Sequence, residues 1–196
     1  MKKILILILG VVVLAGGGFL FLKSRHGTGD QGQAVLKVNS TPTATIILDN
    51  KDIGKTPYED KVTPGEYTIK LIPESTVESA VSWEEKIKLN PNLLTYVNRD
   101  LGESELTSGG EVLTLEKISG KEAQIAVVST PDGATISLSG EEKGTTPKVL
   151  EGIEPGNYEL IVSSSGFASR TVKVKTTSGY KLTASFQLAI AGEPVA

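Results

Sequence analysis

Three pairs of acidic residues are the side chains best suited to catalysis in this chain of 196 residues. The pairs are Glu84 with Glu85, Asp49 with Asp52, and Glu141 with Glu142. A glycosidase needs two carboxylates about 5 to 9.5 Å apart. Adjacent residues of a strand point to opposite faces, so Glu84 and Glu85 do not share a site. The other two pairs fall in predicted hairpin turns, where carboxylates are usually solvated, and we expect no catalytic residue among the six.

Composition limits the remaining chemistry. The chain has no Cys and one His, which excludes disulfides, thiol catalysis and zinc sites built from Cys or several His. Asp49 to Gly54 has the Gly of a calcium loop, but Lys51 stands where a ligand is needed and position 12 lacks a Glu. There is also no phosphate-binding loop or dinucleotide fingerprint. We predict a protein that is not an enzyme and holds no metal or cofactor.

Trp83 is the only Trp of the chain and the one candidate for contact with a ligand. An exposed Trp ring can stack on a sugar ring. The interpretation we favour is that Trp83 opens a strand and closes the core, as Phe167 does later in the chain. The lone His26 lies in a Gly-rich stretch and is interpreted as a solvated residue.

The N-terminus predicts a membrane anchor. Ile4 to Leu22 is a run of 19 residues without a charged or polar side chain, long enough as a helix to span the roughly 30 Å bilayer core. The alternative is a cleaved signal peptide with its small residues at 15–18. The apolar run continues past these small residues, which favours an uncleaved, single-pass signal anchor at 1–25.

A Gly-rich tether is predicted at 26–33. Residues 27–196, which include most of the tether, carry 16 cations against 23 acids, a net charge of −7. This balance argues against a nucleic-acid partner. An acidic, Cys-free, β-rich chain suits export, so we expect the N-terminus in the cytoplasm and the bulk outside the cell membrane.

Two copies of one pattern follow the tether, offset by 89 to 91 residues. The shared landmarks are Pro42, Ala44, Gly54, Thr56, Pro57, Pro64, Gly65 and Tyr67, and then Pro131, Asp132, Gly133, Ala134, Gly144, Thr146, Pro147, Pro155, Gly156 and Tyr158. Such a series predicts tandem modules at 34–101 and 123–190, a partly ordered linker at 102–122 and a tail at 191–196. We interpret the landmarks as structural.

The hydrophobic period within each copy is two, which is typical of strands. Tyr67, Ile69 and Leu71 alternate with polar residues, and 86–89 is matched with 171–174 as a later strand of both copies. Turn residues that tolerate positive φ separate the strands. A Tyr two residues after a turn Gly is typical of a tyrosine corner, whose hydroxyl bonds back to the backbone. The predicted fold is all-β, with two small antiparallel sandwiches.

The landmarks resemble the PEGA domain family, named for a Pro-Glu-Gly-Ala motif before the first long strand. Pro131 to Ala134 matches the motif with Asp for Glu, whereas only Thr43 separates Pro42 from Ala44 in the first copy, whose first turn is expected to differ. The resemblance implies extracytoplasmic β modules related to surface-layer proteins. The Pro-Gly-x-Tyr turn is also similar to carboxypeptidase-regulatory, transthyretin-like sandwiches, which implies the same architecture.

The linker contains apolar residues at 112, 113, 115 and 118, too many for a solvated segment. We predict that 111–118 packs on a module as an extra strand or as one helical turn. The leading functional hypothesis is a non-enzymatic, membrane-anchored cell-envelope protein that offers its modules to an envelope protein or a cell-wall polymer. The alternative is a carbohydrate-binding or sensor ectodomain.

Overall fold

The computed structural model describes residues 32–74 and 80–192. The predicted anchor at 1–25, most of the tether and the end of the tail lie outside the described residues. Within the described part of the chain, no helix has the length and apolar character needed to cross a membrane.

The described residues form fifteen strands. They are β1 (Ala34–Thr41), β2 (Ala44–Leu48), β3 (Lys51–Lys55), β4 (Tyr58–Val62), β5 (Gly65–Pro73), β6 (Trp83–Leu89), β7 (Leu94–Asp100), β8 (Gly109–Lys117), β9 (Ala123–Thr130), β10 (Thr135–Leu138), β11 (Glu141–Thr145), β12 (Lys148–Ile153), β13 (Gly156–Ser163), β14 (Arg170–Thr176) and β15 (Tyr180–Gln187). The all-β prediction is confirmed for these residues.

Each copy of the repeat is a two-sheet sandwich of seven strands. In module 1, β4-β1-β7 faces the sheet β3-β2-β5-β6, and in module 2, β12-β9-β15 faces β11-β10-β13-β14. Alternate residues of each strand enter the core, such as Leu36 and Val38 opposite Ile46 and Ile69 in module 1. The predicted tandem β-sandwiches are therefore confirmed, but they are not antiparallel throughout, because β1 pairs parallel with β7 and β9 pairs parallel with β15.

A Thr lock recurs at the same place in both modules. Thr56 Oγ1 accepts a hydrogen bond from the Ala44 N–H at 2.9 Å and lies 2.7 Å from Ser40 Oγ. Thr146 Oγ1 does the same with the Ala134 N–H at 3.1 Å and Ser129 Oγ at 2.6 Å. The first turn is one residue shorter in module 1, yet the lock is unchanged because the Ser bonds to the Pro carbonyl in both.

The tyrosine corners follow the turn spacing. Tyr67 Oη donates to Thr63 O at 2.8 Å, and Tyr158 Oη donates to Glu154 O at 3.0 Å. Gly65 and Gly156 lie beneath the rings, where an added Cβ would be 3.2 and 3.4 Å from the Tyr side chain. The Pro-Gly-x-Tyr turn is thus a packing unit.

The linker becomes strand β8, and this strand joins the two modules. β8 pairs antiparallel with β7 of module 1 on one edge and with β15 of module 2 on the other. The two three-stranded sheets therefore continue through β8 as one sheet in the order β12-β9-β15-β8-β7-β1-β4. The structure has the extra strand, not the helical turn, and this strand belongs to both modules.

The two cores lie on opposite faces of this seven-stranded sheet. Val112 of β8 is opposite Val97 and packs in the core of module 1. Its neighbour Leu113 is opposite Ala184 and packs on the core of module 2. Paired residues share a face and consecutive residues alternate, so the modules are related by an approximate twofold rotation about an axis along β8.

The sequence match of 86–89 with 171–174 is wrong by two residues. Leu89 pairs with Gly65, whereas Thr176 pairs with the equivalent Gly156. The partner strand sets this register, and an even shift keeps the same side chains in the core. Trp83 is therefore equivalent to Arg170 and not to Phe167, which precedes β14 and bridges to Ile190.

Candidate ligand-binding cleft

A cleft of about 440 Å³ lies where β6 of module 1 overhangs the joined sheet. It is lined by residues of β6 and its approach, of β7, of β9 and β15, and of the loop before β8. These residues are Val81, Ser82, Trp83, Glu84, Glu85, Arg99, Glu105, Ser108, Thr130 and Gln187. Both modules contribute, so the cleft exists only because β8 fixes them side by side.

Arg99 is the central side chain of the cleft. It is 2% exposed, because it follows Val97 on the inward face of β7. Its Nη2 donates to Gln187 Oε1 at 2.5 Å, whereas its buried Nε has no hydrogen-bond partner. A buried donor without a partner is costly, so the guanidinium has unused capacity to bind an acceptor.

Gly110 makes the bond between Arg99 and Gln187 possible. It lies between them in the sheet, paired with Arg99 on one side and with Gln187 on the other. A Cβ at this position would clash with Asn98 O and lie 2.8 Å from Arg99 Cδ, and its φ of +152° is one that side chains rarely adopt. Arg99 therefore crosses β8 over a residue without a side chain.

The loop before β8 is tied to the same corner. Gln187 Nε2 donates to Glu105 O at 2.8 Å. Ser108 Oγ donates to Ser104 O at 2.7 Å and accepts from the Gly102 N–H at 2.9 Å. These bonds hold the wall of the cleft opposite β6.

Trp83 combines both roles considered for it. Its half-buried ring packs against the core of module 1, and its side toward the sheet lines the cleft. Arg99 Cζ lies 4.6 Å from the ring centroid, a cation–π contact. The ring face next to Arg99 is thus occupied and does not offer a free platform for a sugar.

Glu85 faces Arg99 across the cleft. Burial raises the pKa of Glu85, although the charge of Arg99 opposes the shift. Burial likewise lowers the pKa of Arg99 to about 10, with Glu85 opposing. The two side chains form no salt bridge in the described part of the chain, although the charge of each acts on the pKa of the other.

The acidic pairs of the sequence serve local structure. Glu84 lies 3.7 Å from Lys70 Nζ on the outer face of β6. Asp49 accepts the N–H of Thr68 on the neighbouring strand β5, and Asp52 accepts the N–H of Gly54 within the hairpin. Glu141 pairs with Lys143 at 2.7 Å. Across the described residues, no group of three His, Cys, Asp or Glu side chains is arranged to hold a metal ion.

An ion network on the opposite face was not predicted. Arg170 of module 2 donates to Glu111 Oε2 on β8 through Nε at 3.1 Å and Nη2 at 2.7 Å, and it also pairs with Asp100 of module 1. Asn98 Nδ2 donates to Glu111 Oε1 at 2.7 Å. Burial lowers the pKa of Arg170, but these carboxylates outweigh it and the pKa is raised. The network links both modules through β8.

A second groove lies on the module 2 side of the joined sheet, farther along the strands than Arg170 and Phe186, which are equivalent to Trp83 and Arg99 of the cleft. It measures about 290 Å³ and lies between β14 and the sheet, lined by Leu94, Tyr96, Leu113, Leu115, Val172, Lys173, Val174, Lys175 and Leu182. Its lining is apolar except for the two lysines and the Tyr hydroxyl. This groove therefore lacks the buried, partly unsatisfied cation of the cleft.

Comparisons with known proteins agree with the repeat. The family model described as "PEGA domain" matches residues 33–103 and 122–190. Among curated proteins, none matches the chain. A solved structure, "The Bacillus anthracis TIE protein", is similar at 13% identity and a TM-score of 0.24, covering 82% of this chain and 34% of that one. The chain spans about a third of that structure, and a TM-score this low carries no functional argument.

Proposed function

The chain belongs to the PEGA domain family, and from this premise we propose that it is a non-enzymatic cell-envelope protein anchored by 1–25 in the cell membrane. Its two modules work outside the cell as one rigid interaction unit for an envelope protein or a cell-wall polymer. The observation that carries this proposal is the pairing of β8 with both modules.

A rigid unit suits binding better than two modules on a flexible linker. The joined sheet and the network of Arg170, Glu111 and Asp100 both cross the boundary between the modules. Surfaces fixed in one orientation lose less conformational entropy when they meet a partner. The absence of Cys leaves this rigidity to hydrogen bonds and packing.

Single-Cys labelling tests the orientation, because the chain has no Cys of its own. The Ser178→Cys variant places a thiol in the exposed turn before β15, and Lys3→Cys places one ahead of the apolar run. In intact cells, a membrane-impermeant maleimide is expected to label Ser178→Cys and to label Lys3→Cys only after permeabilisation. The reverse pattern, or equal labelling of both, would reject the proposed orientation.

Distance measurement tests the rigidity. Spin labels at Asp60→Cys and Ser178→Cys, one exposed site in each module, are expected to give a single narrow distance distribution. Two labels within module 1, at Asp60→Cys and Asp52→Cys, supply the width expected of a rigid body. An inter-module distribution several times wider than this reference would contradict the proposal.

A carbohydrate-binding or sensor ectodomain is the second candidate, and the cleft favours it. A half-buried Trp, a buried Arg with unused donor capacity and a half-buried Glu meet there. Trp83 is the only Trp, so its fluorescence reports on this place alone. A saturable change with a cell-wall glycan supports recognition, whereas no change with any glycan supports a purely structural role.

A further inference from the structure

We infer that the cleft binds an uncharged saccharide through an acetamido group, whose carbonyl oxygen accepts from Arg99 while its N–H or a neighbouring hydroxyl donates to Glu85. The inference rests on the second candidate function and specifies its ligand.

Arg99 carries the argument for an acceptor. A buried cation is normally paired with a carboxylate, yet no salt bridge to Arg99 occurs in the described part of the chain, and its Nε–H bonds to nothing. Gln187 satisfies a single donor. A ligand oxygen at the guanidinium would supply the missing bond.

The charge of the lining argues against an anionic ligand. Glu85 faces Arg99, the single cation of the lining, and Glu105 on the loop wall is also acidic, whereas Glu84 is paired with Lys70 on the outer face of β6. Like charges within a few ångströms repel strongly where water is excluded. An uncharged group that accepts from Arg99 and donates to Glu85 meets neither penalty. An acetamido group carries a hydrogen-bond acceptor and a donor in one plane. The hydroxyls of the sugar would form further hydrogen bonds with Thr130 and Ser82 at the mouth of the cleft.

Binding is coupled to Trp83. Because Arg99 Nε is buried, an acceptor reaches its hydrogen only if the guanidinium turns toward the cleft. That turn alters the contact at 4.6 Å between Arg99 Cζ and the Trp83 ring. A change in Trp83 fluorescence is therefore expected on binding even without a sugar stacked on the ring.

The test titrates the purified full chain with tri-N-acetylchitotriose and follows Trp83 fluorescence and heat of binding. A zwitterionic detergent avoids competition from sugar headgroups. Cellotriose, which has the same backbone without acetamido groups, is the matched ligand, and N-acetyl-Gly-Gly-N-methylamide offers amides without a sugar. Saturable binding of chitotriose at least tenfold tighter than of the other two is expected.

Each other result overturns the inference in a different way. Equal binding of cellotriose would keep saccharide recognition and reject the acetamido contact. Tighter binding of the peptide would assign the cleft to a peptide. No binding of any probe would reject the cleft as this site, while the labelling experiment would still decide the envelope role.

Two variants assign the contacts. Glu85→Val introduces the residue type that module 2 has at the equivalent position, Val172. Arg99→Met introduces an apolar side chain at the position equivalent to Phe186 of module 2. Each removes a charged contact and is expected to weaken chitotriose binding roughly tenfold or more. Glu159→Gln, on the exposed face of β13, is the control that retains the parent affinity. Parent affinity in both cleft variants would contradict the assignment.

Discussion

The two modules share the same strands and turns but differ in the side chains that lie between the outer sheet and the joined sheet, next to β8. The Thr lock, the tyrosine corner and the strand pairings are shared. At three equivalent positions, module 1 has Trp83, Glu85 and Arg99, whereas module 2 has Arg170, Val172 and Phe186. The aromatic and the cation have exchanged strands. A repeated scaffold thus gives an unsatisfied cleft on one side and a saturated ion network on the other.

The largest loss of stability is expected from breaking the ion network around Arg170. Arg170→Met leaves Glu111, whose side chain is 5% exposed, without its cation. Removing one member of a buried ion pair costs about 3 to 5 kcal/mol, and chemical denaturation is expected to show a loss of that size. Lys143→Met, which breaks the pair with the exposed Glu141, is the control and should change stability by less than about 1 kcal/mol. Equal effects of the two would mean that the network does not join the modules.

Gly110→Ala tests the place where Arg99 crosses β8 to reach Gln187. The added Cβ meets the backbone of β7 and the stem of Arg99, and overpacking of this kind costs about 1 to 3 kcal/mol. Thermal unfolding should show a loss near 3 kcal/mol, together with loss of the bond from Arg99 to Gln187. Gly192→Ala, where no atom lies within 4 Å of the added Cβ, should match the parent. A fully stable Gly110→Ala would show that β8 does not need this close approach.

The shared frame predicts equal effects in both modules. Thr56→Val and Thr146→Val each remove a buried hydroxyl that accepts from a backbone N–H. Each is expected to lower the free energy of unfolding by about 1 to 3 kcal/mol, with Thr171→Val on the exposed side of β14 as reference. A difference of more than about 1 kcal/mol between the two would show that the locks are not equivalent.

The smallest effect concerns Glu85 and depends on pH. Burial raises its folded-state pKa above the unfolded value of 4.5, so the carboxyl favours folding when protonated and this contribution is lost as pH rises through the folded pKa. Glu85→Gln is therefore expected to be more stable than the parent at pH 7, by less than about 1 kcal/mol. At pH 3.5 the two should coincide in urea unfolding. A variant less stable at pH 7 would indicate that the charge of Glu85 holds Arg99 in place.

Local patterns in the sequence predicted most of each module. Alternation in β5 and the positive-φ hairpin residues, such as Asp49 (φ 46°) and Asn50 (φ 65°), depend on near neighbours alone. The two-sided role of β8 depends on strands far apart in the chain, and the apolar residues at 112 and 113 showed only that both faces are covered. Only the pairing of β8 with β7 and with β15 shows that a different module covers each face.

The cleft was missed for a similar reason. An Arg between Asn98 and Asp100 reads as a solvated cation, although alternation from Val97 already places Arg99 on the inward face. Its burial depends on Gly110 and Gln187, which are neighbours only through the joined sheet. Trp83 was identified as the sole candidate for ligand contact. Its contact with Arg99 depends on how β6 pairs in the sheet, and the sequence match aligned β6 with β14 two residues away from the observed register.

The position of β15 determines how the joined sheet is completed during synthesis. It is the last strand of the described residues, yet it lies inside the sheet, between β9 and β8. Until residue 187 has left the ribosome, β8 has one unpaired edge, and Leu113 and Leu115 lack the side chains of β15 that cover them. A nascent chain that stops after β8 therefore presents an open edge next to apolar side chains, the arrangement that invites pairing with another chain. β15 closes module 2 and also covers this edge of β8.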